Sequence, residues 1–83
     1  MIRVALIFGG ESSEHSVSCI TALGVAGAID SARYEVIPIG ITKTGRWTLC
    51  DLDKTWTLAS NPEVLLSDEV RPSIGGGNWV TAE

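Results

Sequence analysis

The chain has 83 residues, which limits it to one small domain with a thin hydrophobic core. Its net charge of −4 and its six scattered basic residues argue against a nucleic-acid-binding surface, which needs clustered Lys and Arg. An apolar fraction of 45% is ordinary for a globular protein and argues against disorder.

Residues 2–8 predict the first strand, since six of these seven residues are apolar. Apolar residues occur at both the odd and the even positions of this segment, which is typical of a strand covered on both faces in a parallel sheet. Gly9 and Gly10 then end the strand, because glycine readily adopts positive φ. Ser12 and Ser13 are candidate N-caps for the helix that follows.

A helix is predicted over residues 14–29. The spacing i, i+3, i+4, i+7 and i+11 defines one helical face, which consists of Val17, Ile20, Thr21, Gly24 and Ala28. The many Ala and Gly residues of this helix are expected to let its backbone approach the sheet closely. Gly24 and Gly27 each cost up to about 1 kcal/mol of helix propensity relative to Ala, which favours a packing reason for them.

A second strand is predicted over residues 34–42, so that the chain begins with the β-α-β unit of a right-handed parallel crossover. Pro38 lacks an N–H, so this strand should lie at an edge or meet an irregular partner there. Residues 43–46 predict a turn and residues 47–50 a short strand, which together indicate an antiparallel β-hairpin.

The pattern is weaker beyond the hairpin. Residues 53–58 are interpreted as a short helical turn, residues 61–62 as a turn and residues 63–66 as at most one further turn. Residues 72–77, with three consecutive glycines, predict a loop, and residues 79–81 are a candidate strand. The expected fold is α/β: a Rossmann-like open sheet, mainly parallel with an antiparallel hairpin, and incomplete at the C-terminus.

Cys19 and Cys50 are too few and too far apart for a disulfide framework or a zinc site, so we expect two reduced, mostly buried thiols. No signal-peptide pattern precedes the first strand. The longest apolar run is far shorter than the roughly 20 residues that a membrane span needs. We therefore expect a cytoplasmic protein without a membrane partner.

Residues 9–18 bring together glycines, hydroxyls, two carboxylates and the single histidine. Connectivity places them at the carboxyl end of a strand, where open α/β sheets bind ligands. The dinucleotide pattern fails because Glu11 and Glu14 occupy its second and third glycine positions. The P-loop and nucleophile-elbow patterns also fail, and Glu14 and His15, as neighbours in a helix, do not share a face for metal binding.

With these patterns excluded, the remaining feature is a carboxylate in the first turn of a helix, beside a double glycine. Glu14 either complements the helix dipole or binds the ammonium group of a small ligand, and an amino acid would suit such a site. His15 is interpreted as a partly exposed polar residue, and Ser16 and Ser18 as capping residues at the start of the helix.

Residues 4–18, VALIFGGESSEHSVS, resemble the N-terminal signature of D-alanine–D-alanine ligases. That signature is an apolar strand followed by Gly-Gly-x-Ser-x-Glu-His/Arg-x-Val-Ser. The second strand and its hairpin, residues 34–47, are also similar to this family. The resemblance implies an ATP-grasp enzyme that joins two D-alanines through an acyl phosphate. ATP and Mg²⁺ are then its cofactors, and it supplies peptidoglycan precursors for the cell wall.

The resemblance also implies site residues. Glu14 would be the catalytic carboxylate that holds the ammonium group of the first D-alanine, with Val17 and Ser18 lining the same pocket. Gly9 and Gly10 would let the chain pass close to the substrate. No metal ligand is expected in this segment. The family's next motif, His-Gly-x-x-Gly-Glu-Asp-Gly, would lie beyond residue 83, so His15 is not equated with its histidine.

Residues 1–83 are therefore expected to be the truncated N-terminal substrate-binding domain of such a ligase, without the ATP-grasp domains. The domain alone would be inactive and would bind neither ATP nor Mg²⁺, and its parent would be a homodimer. A non-catalytic α/β binding or dimerisation module is the alternative. A nucleotide-binding oxidoreductase domain is disfavoured by the failed glycine pattern. The choice of D-alanine, D-lactate or D-serine as second substrate would lie in later domains.

Overall fold

The computed structural model describes residues 2–72 and 79–81. It contains one α-helix, one short 3-10 helix and five strands within these ranges. In chain order they are β1 (Ile2–Gly9), α1 (His15–Ala28), β2 (Tyr34–Ile41), β3 (Trp47–Leu49), the 3-10 helix (Leu58–Ser60), β4 (Asp68–Pro72) and β5 (Trp79–Thr81). The strands follow one another in the sheet in the order β1-β2-β3-β4-β5.

The predicted β1-α1-β2 unit is confirmed. β1 pairs with β2 in parallel along its whole length, from Ile2 opposite Tyr34 to Gly9 opposite Ile41. The helix α1 has its N-cap at Glu14, so it begins where the sequence predicted. This crossover places the end of β1, the start of α1 and the end of β2 at one edge of the sheet.

The prediction of a mainly parallel sheet is not confirmed. Only the β1–β2 pairing is parallel among the strands that the structure describes, and β2–β3, β3–β4 and β4–β5 are antiparallel. The predicted hairpin accounts for β3, and Gly45, with φ of 88°, provides its turn. Strand β4 was missed because its charged and proline residues, DEVRP, do not form an apolar run. Strand β5 confirms the candidate strand.

Pro38 lies in an internal strand, yet its missing N–H costs the sheet little. The Cys50 N–H donates to the Pro38 carbonyl at 3.2 Å, and β3 ends at Leu49, one residue before this point. The ladder between β2 and β3 therefore stops where Pro38 has no donor to offer. Of the two alternatives predicted for this strand, the irregular partner is the one found.

The main cluster of buried hydrophobic residues lies on one face of the sheet, beneath α1 and the segment that contains Val64. Its buried members are Phe8, Cys19, Ala22 and Val64, with Leu6, Cys50, Leu52 and Trp56 packed against them. The rings of Phe8 and Trp56 meet edge to face with centroids 6.2 Å apart. The expectation that β1 is covered on both faces was wrong, because Ile7, on the face opposite Phe8, is 44% exposed.

The buried face of α1 also differs from the prediction. His15, Cys19 and Ala22 are its buried residues, at positions i, i+4 and i+7. Val17 is 44% exposed, and a Cβ added at Gly24 or Gly27 would meet no other atom within 4 Å. The apolar residues surround this helix almost evenly, so the periodicity of the sequence alone did not identify its inner face.

The remaining predictions concern the second half of the chain. A turn forms at residues 53–56, closed by the Trp56 N–H and the Asp53 carbonyl, and the 3-10 helix follows it. Residues 63–66 have no regular structure, and Pro72 closes β4. The rest of the loop predicted at residues 72–77 lies outside the described residues. Within the described ranges, no helix is long and apolar enough to cross a membrane.

Candidate functional site

The predicted site residues lie together at the carboxyl end of β1. Gly9 is the last residue of this strand, Gly10 follows it, and Glu14, Val17 and Ser18 belong to the start of α1. The Gly9 N–H donates to Ser18 Oγ at 2.9 Å, which joins the end of the strand directly to the second turn of the helix. The Ser18 hydroxyl oxygen thereby holds the strand against the helix as a hydrogen-bond acceptor. Its proton can still donate a hydrogen bond to another group.

The two glycines of the turn have different surroundings. Both have positive φ, 89° at Gly9 and 103° at Gly10. A Cβ at Gly9 would collide with the Ile41 carbonyl oxygen and would lie 3.0 Å from Val64 Cγ2, whereas a Cβ at Gly10 would meet nothing within 4 Å. Gly9 is therefore required by both conformation and packing, while Gly10 borders open space.

Glu14 occupies the N-cap position of α1 without capping it. Its side chain makes no capping hydrogen bond, and its N–H donates instead to Ser12 Oγ at 2.9 Å. Ser12 therefore fixes the approach to the helix, although neither Ser12 nor Ser13 is the N-cap residue predicted. The Glu14 carboxylate is exposed and has no hydrogen bond or ion pair with the part of the chain that the structure describes.

His15 is buried, contrary to the interpretation of this residue as partly exposed. Only 2% of it is accessible, and its ring connects two segments that are 49 residues apart. Nδ1 lies 2.7 Å from the Gly10 carbonyl oxygen, and the Val64 N–H donates to Nε2 at 2.9 Å. The signal that identifies its burial is its spacing from Cys19 and Ala22, one and two turns further along the helix.

A second segment, residues 61–64, lies against the turn. Val64 is 1% exposed, and its Cγ1 is only 2.6 Å from where a Cβ at Gly40 would be. Ser16 Oγ donates to Asn61 Oδ1 at 2.7 Å and lies 3.1 Å from the Pro62 carbonyl oxygen. This segment thus closes the inner side of the turn and leaves its outer side, with Glu14, open.

The charged groups around the turn are mostly engaged. Lys43 Nζ lies 3.6 Å from Glu63 Oε1 at the surface, and the Glu11 carboxylate lies against the hairpin turn at Gly45. No three His, Cys, Asp or Glu side chains in the described ranges are close enough together to hold a metal ion.

Two surface depressions elsewhere do not include the predicted site residues. One, of about 510 Å³, is lined by Ile2, Ala32, Arg33 and Tyr34, and another, of about 440 Å³, by Leu23, Ala26, Gly27, Leu52 and Lys54. The first lies at the amino end of β1, opposite the edge where a helix N-terminus and strand carboxyl ends meet. The edge at the carboxyl ends of the strands is the candidate ligand site, because ligands of open α/β sheets bind there.

The chain is similar to known ligases in sequence. The family described as D-ala D-ala ligase N-terminus matches residues 3–79. The D-alanine--D-alanine ligase of Paenarthrobacter aurescens is 62% identical over 65 residues, which cover 75% of this chain and 17% of that protein. The chain thus spans only about a fifth of the length of the curated relatives that it matches.

The chain is also similar to solved structures. The D-Ala:D-Ser ligase VanG from Enterococcus faecalis aligns with a TM-score of 0.72 and 30% identity, over 96% of this chain and 24% of that one. The D-alanine-D-alanine ligase from Coxiella burnetii aligns with a TM-score of 0.73 and 22% identity, over 98% of this chain and 24% of that one. The second likeness shows the fold alone.

Proposed function

Because the chain belongs to the family of D-alanine–D-alanine ligase N-terminal domains, we propose that it supplies part of the first D-alanine site of such an enzyme. The enzyme would join two D-alanines, with ATP converted to ADP and phosphate, and would provide the dipeptide for peptidoglycan synthesis. In the same proposal the whole ligase is a cytoplasmic homodimer.

The observation that carries this proposal is the unpaired carboxylate of Glu14. Lys43 and Glu63 pair with each other and the Glu11 carboxylate lies against Gly45, but Glu14 projects into solvent from the N-cap of α1, beside the open space at Gly10. A helix gains from a negative charge at this end, and a carboxylate without a partner among the described residues is available to a cation. The ammonium group of an amino acid is such a cation.

The neighbouring residues fit the rest of a small zwitterion. Gly10 lets the ligand approach the backbone, because no side chain projects there. Val17 is 44% exposed and offers an apolar contact for a methyl group, and Ser18 retains one hydroxyl proton to donate. The positive end of the α1 dipole favours the carboxylate of the ligand. These residues bind and orient the substrate in this proposal.

ATP and Mg²⁺ bind outside this chain in the proposal. The sequence contains no P-loop pattern, and the residues that the structure describes form no cluster of metal ligands. The nucleotide, which would activate the carboxyl group of the first D-alanine by phosphorylation, would then be held by parts of the ligase outside this chain.

The proposal is tested in a chimera in which this chain replaces the matching segment of the P. aurescens ligase. Changing Glu14→Gln keeps the size of the side chain and removes its charge. Loss of a charged hydrogen bond should lower kcat/KM for the first D-alanine by about tenfold or more, measured as phosphate release against D-alanine concentration.

Glu11→Gln is the matched control, since Glu11 is an exposed carboxylate of the same loop that lies against Gly45 instead. It should leave the kinetics within about twofold of the unmodified chimera. Equal kinetics for Glu14→Gln and the unmodified chimera would refute the assignment of Glu14. A folded but inactive unmodified chimera would instead favour the non-catalytic binding or dimerisation module.

A further inference from the structure

We propose that His15 is a positioning residue, which holds the Gly9–Gly10 turn and thereby sets the place of Glu14 in the substrate site. This inference rests on the proposed function, because it assigns a purpose to a buried group next to the proposed ammonium-binding carboxylate. His15 does not touch the substrate in this proposal. It acts through the backbone of the turn and the start of α1.

The hydrogen bonds of His15 indicate which tautomer its neutral ring adopts. The Val64 N–H can only donate, so Nε2, 2.9 Å away, must accept and carries no proton. The proton of a neutral ring is therefore on Nδ1, which donates to the Gly10 carbonyl oxygen at 2.7 Å. With 2% of the residue exposed and both nitrogens engaged, the ring is neither a free base nor a metal ligand.

The bond to His15 matters most at Gly10, whose carbonyl has no other hydrogen-bond partner among the described residues. Gly10 borders open space and is held at a φ of 103° by two contacts, its N–H to the Ile41 carbonyl at 2.8 Å and its carbonyl to His15. Without the second contact, a glycine at this φ is free to move to other conformations.

Glu14 would share in such a movement. It precedes His15 directly, and the Ser12 backbone carbonyl accepts from the His15 N–H at 3.1 Å, so both residues are fixed to the same short loop. The ring also joins this loop to Val64, whose methyl groups pack beside Gly9 and Gly40. Loss of the imidazole should therefore loosen the loop between β1 and α1 on both sides.

Three substitutions separate the two hydrogen bonds. His15→Phe keeps a planar aromatic ring, slightly larger than imidazole, and removes both bonds. His15→Asn places an amide N–H near the position of Nδ1 and can restore the bond to Gly10. His15→Gln reaches the position of Nε2 and can restore the bond from Val64. Each is made in the chimera described above, with Cys19→Ala as a control for burial on the same face of α1.

We expect His15→Phe to raise KM for the first D-alanine about fivefold, the equivalent of one net hydrogen bond, with kcat within about twofold. His15→Asn should return KM to within about twofold of the unmodified value, and His15→Gln should not. Cys19→Ala should reduce the folded fraction without a change in KM. If His15→Phe does not fold, the contrast between Asn and Gln still decides.

A double-mutant cycle with Glu14→Gln shows whether His15 acts through Glu14. If it does, His15→Phe has no further effect on KM once the Glu14 charge is gone. Unchanged KM in His15→Phe, or equal KM in the Asn and Gln variants, overturns the inference while a strong effect of Glu14→Gln leaves the proposed function intact. Full activity of Glu14→Gln with a raised KM in His15→Phe overturns the route through Glu14 and the proposed site together.

Discussion

At the level of single residues, the first turn of α1 places two adjacent ionisable side chains in opposite environments. Glu14 points to solvent without a partner among the described residues, while His15 is 2% exposed with both ring nitrogens bonded. Successive residues of a helix differ by about 100° in direction, so such a pair readily divides between surface and core. The sequence identified the exposed member as a candidate for binding and missed the buried one.

The two thiols are a second feature at this scale, and the expectation of free cysteines is confirmed. Cys19 is fully buried and Cys50 half-buried against the same core. Burial raises the pKa of the Cys19 thiol, with a smaller contribution from nearby Cys50. Burial also raises the pKa of the Cys50 thiol, and the negative charge of Asp51 raises it further by a smaller amount. Both thiols are therefore protonated in the fold under neutral conditions.

We predict that stability falls as the pH rises above neutral. A raised pKa means that the folded state favours the protonated thiol, so this stabilisation is complete below the unfolded thiol pKa of about 8.5. It is lost as the pH rises through the higher folded pKa. Urea unfolding at a series of pH values from neutral to alkaline measures the free energy of unfolding as a function of pH. Cys19→Ala should decline less steeply than the unmodified chain, and identical slopes would contradict the assignment.

At the level of secondary-structure elements, the helix α1 was predicted in length and position but not in orientation. Its limits agree with the sequence pattern, because Gly10 and the polar residues after it precede the first turn. The inner face is set by the contacts of His15, Cys19 and Ala22 with the sheet and with Val64. These contacts are distant in sequence, so no local pattern contains them.

We predict that Gly24→Ala and Gly27→Ala each stabilise the chain, by up to about 1 kcal/mol. An added methyl group at either position meets no atom within 4 Å apart from the neighbouring backbone of the helix itself, and Ala has the higher helix propensity. Urea unfolding measures the gain. Gly40→Ala is the matched control and should destabilise, because its Cβ would lie 2.6 Å from Val64 Cγ1. A loss of stability in both Gly24→Ala and Gly27→Ala would instead support the sequence-based expectation that these glycines allow close packing of the helix.

At the level of the whole molecule, the two faces of the sheet are covered to different degrees. The helix and the segment with Val64 cover the side that holds Phe8. On the other side Ile7 and Leu49 are 44% and 38% exposed, although Ile39, which lies between them in the sheet, is fully buried. The predicted site is likewise one-sided, since residues 61–64 close the inner side of the turn and leave Glu14 open. Among the described residues, the proposed site is accordingly an exposed surface rather than an enclosed pocket.

We predict that this chain alone does not bind D-alanine with micromolar affinity. A small zwitterion needs contacts on several sides to offset its lost freedom, and this chain provides one charged group and a short turn. Isothermal titration calorimetry with D-alanine checks it, with the unmodified chimera as the positive control. Micromolar binding to the chain alone would show that the site is more complete than these residues indicate.

The sequence by itself determined the β1-α1-β2 unit, the hairpin and the placement of Gly9, Gly10, Glu14, Val17 and Ser18 at one edge. Strand periodicity, glycine conformation and the family signature are local properties, so a single chain reveals them. Only the tertiary structure decided the buried face of α1, the largely antiparallel sheet and the burial of His15. Each of these depends on contacts between distant segments, such as the hydrogen bond from Val64 to His15, 49 residues apart, which no local pattern encodes.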